Sequence, residues 1–374
     1  MRKMMIPAIF VMAGFAVSAI VFSNDQQSSA KDIRKAYSDM CKLLSSEAFL
    51  KEPNRASRRQ SVKGVMADYD SEPRLSDDPV GIASANSETR VDVAQLVKHC
   101  EELGVNCYHF LIWHQPTDWE DFKLFVAAVE KSKILTERKF TIWIYLVPPS
   151  ESQGMKSEPF GMDYVVWMEN IARLSREHPI VSAVCIDDFY GTKENRDLYT
   201  RDYLRRMREA ADKYDPSLAL VTVLYWDDID PVKELEVMEE ASVIGDSIDG
   251  ILYPYMAQSL KKGLSHKDTY ALASEIKRVR EVYPGIPVIL DIYVTKHSGS
   301  PDLPGPKWVE GLLDIAKENA DGVALYCMPK KNKNGSFADF WGKSMDNTPQ
   351  IFETVKAKYN GWLRSGWKRT NFCL

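Results

Sequence analysis

The chain has 374 residues, 45% of them hydrophobic and 27% charged, a globular composition with enough apolar material for one large core. A net charge of -5 at pH 7 and a pI near 5.8 exclude a dedicated nucleic-acid binder, for which a basic domain is expected. The six cysteines form no CxxC pair and no Cys/His cluster with zinc spacing, so neither a metal nor another cofactor is expected.

Residues 1–23 carry Arg2 and Lys3, then an apolar run to Phe22, before the sequence turns polar. That is the grammar of an export signal, and cleavage after Ala19 or Ser23 fits the small-residue rule. The run also approaches the ~20 residues of a bilayer span, so a retained anchor is the alternative. Either way a secreted or periplasmic body is expected, with stable membrane association only if the segment is kept. Residues 24–60 read as a polar spacer with one amphipathic patch, Ile33 to Leu50, expected to form a helix lying against the main domain.

From Val62 onward, short apolar runs alternate with helix-period segments. The runs are Val62 to Tyr69, Asn106 to Trp113, Phe140 to Val147, Val181 to Asp188, Leu218 to Trp226, Ile248 to Tyr255, Pro287 to Tyr293 and Gly322 to Met328. The helical segments are Val91 to Leu103, Trp119 to Lys131, Met162 to Arg176, Arg196 to Tyr214, Pro231 to Ser242, Lys267 to Val282, Lys307 to Lys317 and Pro349 to Tyr359. Eight strands, each followed by a helix, predict an α/β fold with a single (β/α)8 TIM barrel over residues 61–345, the last helix and a tail occupying 346–374. Pro231 and Pro349 fall near first helical turns and Gly104 just past a helix end, as that reading requires. Cys185 and Cys327 fall in strands as small fillers. Cys100 and Cys107 flank a helix-to-strand turn, and their pairing is left open.

A barrel of this type places its active site at the carboxyl ends of the strands. Those ends supply Asp68, Trp113, His114, Tyr145, Asp187, Asp188, Tyr190, Trp226, Asp228, Tyr253, Tyr255, Asp291, Tyr293 and Tyr326. Aromatics and carboxylates together suit a sugar, whose apolar ring faces stack on aromatic side chains while its hydroxyls bond to acids. Tyr and Trp also favour strands for packing reasons, so a share of these aromatics is expected to be structural.

The fourth strand, VSAVCIDDFYG, is the centre of this reading. If Ala183 and Cys185 point into the barrel, period-two alternation carries Asp187 inward and leaves Asp188 at the rim. Close like charges keep one of two acids protonated near neutral pH, and a protonated acid can donate to a leaving oxygen.

CIDDFYG resembles the paired-aspartate strand of the O-GlcNAcase and bacterial hyaluronidase-type β-N-acetylglucosaminidases. The chitinases are similar, with carboxylates at the same strand and a tyrosine on strand six, where this chain has ILYPYM (Ile251 to Met256). The resemblance implies substrate-assisted hydrolysis: Asp187 orients the acetamido group, Asp188 is general acid and base, and Tyr253 or Tyr293 holds the amide oxygen.

Other readings use the same residues. Asp291, in phase with Ile289 and Tyr293, is a candidate nucleophile for a two-carboxylate retaining mechanism, or else the buried partner of Lys296 or of a tyrosine hydroxyl. A metal-dependent hydrolase would draw on Asp68, His114, Asp187 and Asp228, without an HxH pair. A carbohydrate-binding barrel that lost catalysis is the non-enzymatic alternative. The loops Pro148 to Gly161 and Thr295 to Pro306 are expected to wall the cleft. Lys330 to Lys343 reads as a solvated loop with anchoring aromatics, or as a subsite for an acidic sugar.

Overall fold

A computed structural model of the chain describes residues 24–70, 72–75, 90–113, 115–151, 157–260, 267–296, 302–331, 335–338 and 345–365. The expected export segment lies outside them. Among the described residues no helix is long and apolar enough to cross a membrane.

Three helices come first: α1 (Asn24–Ser45), α2 (Glu47–Leu50) and α3 (Pro53–Ser61). The barrel follows as β1 (Ala67–Tyr69), α4 (Val93–Leu103), β2 (Cys107–Ile112), α5 (Asp118–Lys131), α6 (Lys133–Glu137), β3 (Thr141–Leu146), α7 (Tyr164–Glu177) and β4 (Val181–Ile186). Its second half is α8 (Lys193–Leu198), α9 (Arg201–Asp212), β5 (Ala219–Val223), α10 (Glu234–Ile244), β6 (Gly250–Pro254), α11 (Leu272–Val282), β7 (Val288–Tyr293), α12 (Pro306–Asn319), β8 (Gly322–Tyr326) and α13 (Thr348–Ser365). The strands are parallel and in sequence order, and β1 pairs with β8 to close the barrel.

Strands this apolar form because both faces are buried. The two faces belong to two separate clusters. Ala67, Cys107, Ala183, Cys185 and Ala219 lie in the inner one with Leu111, Trp143 and Leu252; their alternates, such as Tyr108, Val184, Ile251 and Leu290, join the helices in the outer one. Small residues dominate where the inward positions crowd, and a flat stack of His109 on Trp143, 4.3 Å between ring centres, fills much of the axis. Burial drives His109 down to about 3, so its ring is neutral. At the start of β8, a Cβ on Gly322 would stand 2.6 Å from the Val65 side chain, so no larger residue fits that approach. Gly104 ends α4 in the left-handed conformation (φ 87°), as its position in the sequence predicts.

In three places the structure goes beyond or departs from the sequence reading. The N-terminal helices pack on the barrel. Met40 and Leu44 are buried in the outer core, and Arg58 Nε donates to Asp249 Oδ1 at 2.9 Å just before β6. The single helix expected over Arg196 to Tyr214 is two, because the Thr200 hydroxyl caps α9 by accepting the Tyr203 N–H. Cys100 and Cys107 are both free thiols, one in the outer cluster and the other in the inner one, on opposite sides of the barrel wall.

Candidate functional site

Asp187 and Asp188 follow β4 directly. Asp187 keeps the inward phase of Ala183 and Cys185, and its N–H donates to the Leu146 carbonyl on β3 at 2.9 Å. Asp188 breaks the strand with φ 36°, and its own N–H donates to Asp187 Oδ1 at 2.9 Å. A positive φ at a residue other than glycine costs of order 1 kcal/mol or more and persists only where the surroundings hold it. The Tyr145 hydroxyl lies beside the Asp187 carboxyl, and Tyr225, just past β5, lies beside Asp188. Glu151, in the turn Pro149–Glu151 after β3, brings a third carboxyl close to Asp188, whose buried Oδ1 has no hydrogen-bond partner among the described residues.

These contacts decide where a proton resides. Burial first and the Asp188 charge second push Asp187 well above the usual carboxylate range, against the opposing hydrogen bond from Tyr145. Burial and Asp188 push Glu151 up as well. Both shifts favour the protonated carboxyl, and burial is the first cause of each.

Toward the barrel axis lies a bed of tyrosines. Tyr69 stacks on Tyr145 with centroids 5.0 Å apart and meets Tyr326 edge-on at 5.4 Å, and Tyr326 in turn sits 4.8 Å from Tyr293. Tyr225 lies beside the Tyr293 hydroxyl. Beneath this bed Asp291 has no solvent exposure and accepts a 2.7 Å hydrogen bond from Tyr69; burial pushes it up to about 7.

An open cleft of about 430 Å³ adjoins Asp188, within the ~300–1,000 Å³ of ordinary ligand pockets. Tyr225, Asp228, Glu240, Arg196 and Gln258 are among its walls. Asp228 is pushed up to about 6 by burial although it accepts the Tyr225 N–H at 2.7 Å. Glu240, reaching in from α10, is pushed up to about 8 by burial and by the Asp228 charge, against Arg196 at 3.4 Å.

The other sequence candidates lie elsewhere. Tyr253 and Tyr255 alternate with the inward Leu252 and so face α11, Tyr253 donating to Glu275 Oε2 at 2.7 Å and Tyr255 to the Asp268 carbonyl at 3.0 Å. This corrects their placement as sugar contacts. Asp68 likewise points out between the inward Ala67 and Tyr69, bonded to His99 Nε2 and Lys330 Nζ at 2.8 Å each. The proposed metal set is therefore not assembled, and among the described residues no group of three or more His, Cys, Asp or Glu is arranged to hold a metal. Tyr190 packs on Phe189 in the outer core, and Trp226 rests against the same core. Trp113 is half-buried against the inner cluster, and His114 lies outside the described residues.

Three site residues escaped the sequence reading: Glu151, Glu240 and Asn195, the last a fully buried amide bonded to the Asp188 carbonyl at 2.7 Å. Glu151 and Asn195 sit in or just beyond loops, where an acid following Pro148-Pro149 was the one available hint. Glu240 lies within a helix, where no strand-end search looks.

No protein-family model matches the sequence, and no curated protein matches it. Solved structures do. An endo-β-1,4-mannanase from Thermotoga petrophila aligns with 12% identity over 83% of this chain and 78% of that one, with a TM-score of 0.50. AmyP, solved with maltose, aligns with 10% identity over 83% and 80%, with a TM-score of 0.53. A β-galactosidase from Rahnella sp. R3 aligns with 11% identity over 83% of this chain and 58% of that chain, with a TM-score of 0.52. At such identities the likeness is one of fold, a closed barrel of eight parallel strands ringed by helices.

Proposed function

We propose that the protein is an exported glycoside hydrolase whose chemistry is carried by Asp187 and Asp188. The observation that supports this most is the carboxyl pair at the end of β4, with Asp187 pushed well up by burial and Asp188 lining the cleft. General acid catalysis needs such a proton held at neutral pH and within reach of a bound substrate.

In this reading the substrate is an N-acetylhexosamine glycoside. Its acetamido oxygen attacks the anomeric carbon as the bond to the leaving oxygen breaks, and Asp188 gives its proton to that oxygen. Asp187, held by Tyr145, orients the amide. Water then attacks C1, Asp188 takes its proton, and the acetamido group is released unchanged. The tyrosine bed offers ring faces to the sugar. Asp291 fits the nucleophile role less well, because it is fully buried, its Oδ2 is taken by the Tyr69 hydroxyl and it does not line the cleft.

The test is hydrolysis of a panel of aryl glycosides and polysaccharides, with Asp187→Asn and Asp188→Asn beside the wild type. Release from an N-acetyl sugar that both variants lose is the expected result. Sugar binding with no release from any substrate would instead mark a barrel that recognises glycans without cutting them.

A further inference from the structure

The opposite face of the barrel, where the strands begin, holds three guanidinium groups with too few acids to match them. Arg55, Arg58 and Arg59 all come from α3, and Arg58 and Arg59 are only 4% and 6% exposed. The buried carboxylate beside them, Asp249, is fully used: Oδ1 accepts Arg58 Nε at 2.9 Å and Oδ2 accepts the Leu220 N–H at 3.0 Å. Glu52 is taken up by the N–H groups of Asn54 and Arg55, and the Asp246 carboxylate by Arg201 at 2.8 Å. Among the described residues, neither Arg55 nor Arg59 forms an ion pair. Arg55 Nη1 donates to the Asp246 carbonyl at 2.9 Å and Arg59 Nη1 to the Gly285 carbonyl at 3.1 Å, but Arg55 Nε, Arg59 Nε and Arg59 Nη2 are buried with no partner. Nε and Nη2 together are the side-on edge of a guanidinium, which grips a planar or tetrahedral oxyanion through two parallel hydrogen bonds. Burial, with the Arg55 and Arg58 charges, pushes Arg59 down to about 10 against the pull of Asp249. Phe49 stands against both unpaired groups, its ring centre 3.7 Å from Arg55 Cζ and 5.5 Å from Arg59 Cζ. It belongs to α2, a helix of 4 residues with none of them buried, so this cover is lightly held.

We propose that this cluster is a binding site for a phosphate-type oxyanion, gripped by the side-on edge of Arg59 with Arg55 beside it, beneath α2. Two oxygens of the anion accept the Arg59 Nε–H and Nη2–H, and its charge offsets the repulsion among the three guanidinium groups. A tetrahedral anion has further oxygens for Arg55 Nε, which a carboxylate held by the same edge lacks. Bound there, the ion fastens α2 and α3 to the Gly285 turn and so locks the N-terminal helices onto the barrel. The site stands apart from the glycosidase reading, because Asp187 and Asp188 lie at the other end of the strands. Free phosphate and the phosphodiester of a lipid head group share this chemistry.

The test is isothermal titration of the full chain with inorganic phosphate and, separately, with glycerophosphoglycerol, at an ionic strength held constant with chloride. Wild type is compared with Arg59→Met, which keeps the apolar stem and removes the fork, with Arg59→Lys, which keeps the charge without the edge, and with Phe49→Ala, which opens the cover. One saturable site is expected in wild type, weakened at least about tenfold in both Arg59 variants and tightened severalfold in Phe49→Ala. A melting temperature that rises with phosphate in wild type and not in Arg59→Met separates a site from general salt stabilisation. Binding of phosphate alone upholds the site with the free ion as its ligand, and comparable binding of the diester upholds it with a lipid head group as the source. No binding of either ligand to wild type, or equal affinity in wild type and either Arg59 variant, overturns the proposal. If the Arg59 variants do not fold, unchanged or weaker affinity in Phe49→Ala overturns it.

Discussion

The Tyr69 hydroxyl donates a 2.7 Å hydrogen bond to Asp291 Oδ2 inside the barrel, where neither residue has more than slight solvent contact. That single bond does not offset the cost of burial, and Asp291 is pushed up to about 7 from its ordinary 3.8. Because the folded state binds this proton more tightly than the unfolded chain, its contribution to stability is fully present below about pH 4 and is lost as pH rises through about 7. Replacement by asparagine removes the dependence. Chemical denaturation should show the difference in stability, wild type minus Asp291→Asn, falling across that window by at most about 4 kcal/mol. A flat difference would mean that Asp291 is ionised throughout.

The same variant separates two mechanisms. With Asp187 and Asp188 as the working pair, Asp291→Asn should retain turnover within about tenfold. Loss of several orders of magnitude, with trapping of a glycosyl adduct on the wild-type Asp291, would move the nucleophile there.

Asp188→Asn is expected to fold normally and to lose about two to four orders of magnitude in kcat, the usual worth of a general acid. Circular dichroism and a thermal melt check the fold, and turnover of the best glycoside checks the chemistry.

Two tyrosine-to-phenylalanine changes distinguish the inside of the barrel from the outside. Tyr253→Phe removes a buried bond to Glu275 and should cost about 1–2 kcal/mol of stability with unchanged kinetics. Tyr225→Phe removes the hydroxyl beside Asp188 and should alter kcat and its pH profile, with little effect on the melt.

Lys330 is buried at 3% exposure and serves Asp68 and the Asp70 carbonyl. Lys330→Met leaves the Asp68 charge inside the protein with the Met328 N–H and a His99 itself pushed down by burial to compensate. A loss of about 3–5 kcal/mol in denaturant unfolding is expected, without a specific effect on sugar binding.

The sequence by itself determined the barrel, because eight doubly apolar runs separated by helical periods can bury both faces only in a parallel sheet covered by helices. It also determined the phase of the fourth strand, since small Ala183 and Cys185 fit the crowded interior and carry Asp187 with them. It did not determine the phase of the sixth: Leu252 and Tyr253 are both large and apolar, and only the closed barrel shows that Leu252 takes the inside and turns Tyr253 and Tyr255 toward α11. Nor could it assign Asp68, whose partners His99 and Lys330 come from a helix and from the far end of the barrel. Glu151, Asn195 and Asp188 converge because α7 and two strands fold back on one another, and hydrogen bonds between loops some 40 residues apart leave no periodicity to read. Strand patterns record burial, a local property; which loop ends meet over the barrel is set by closure of the whole sheet.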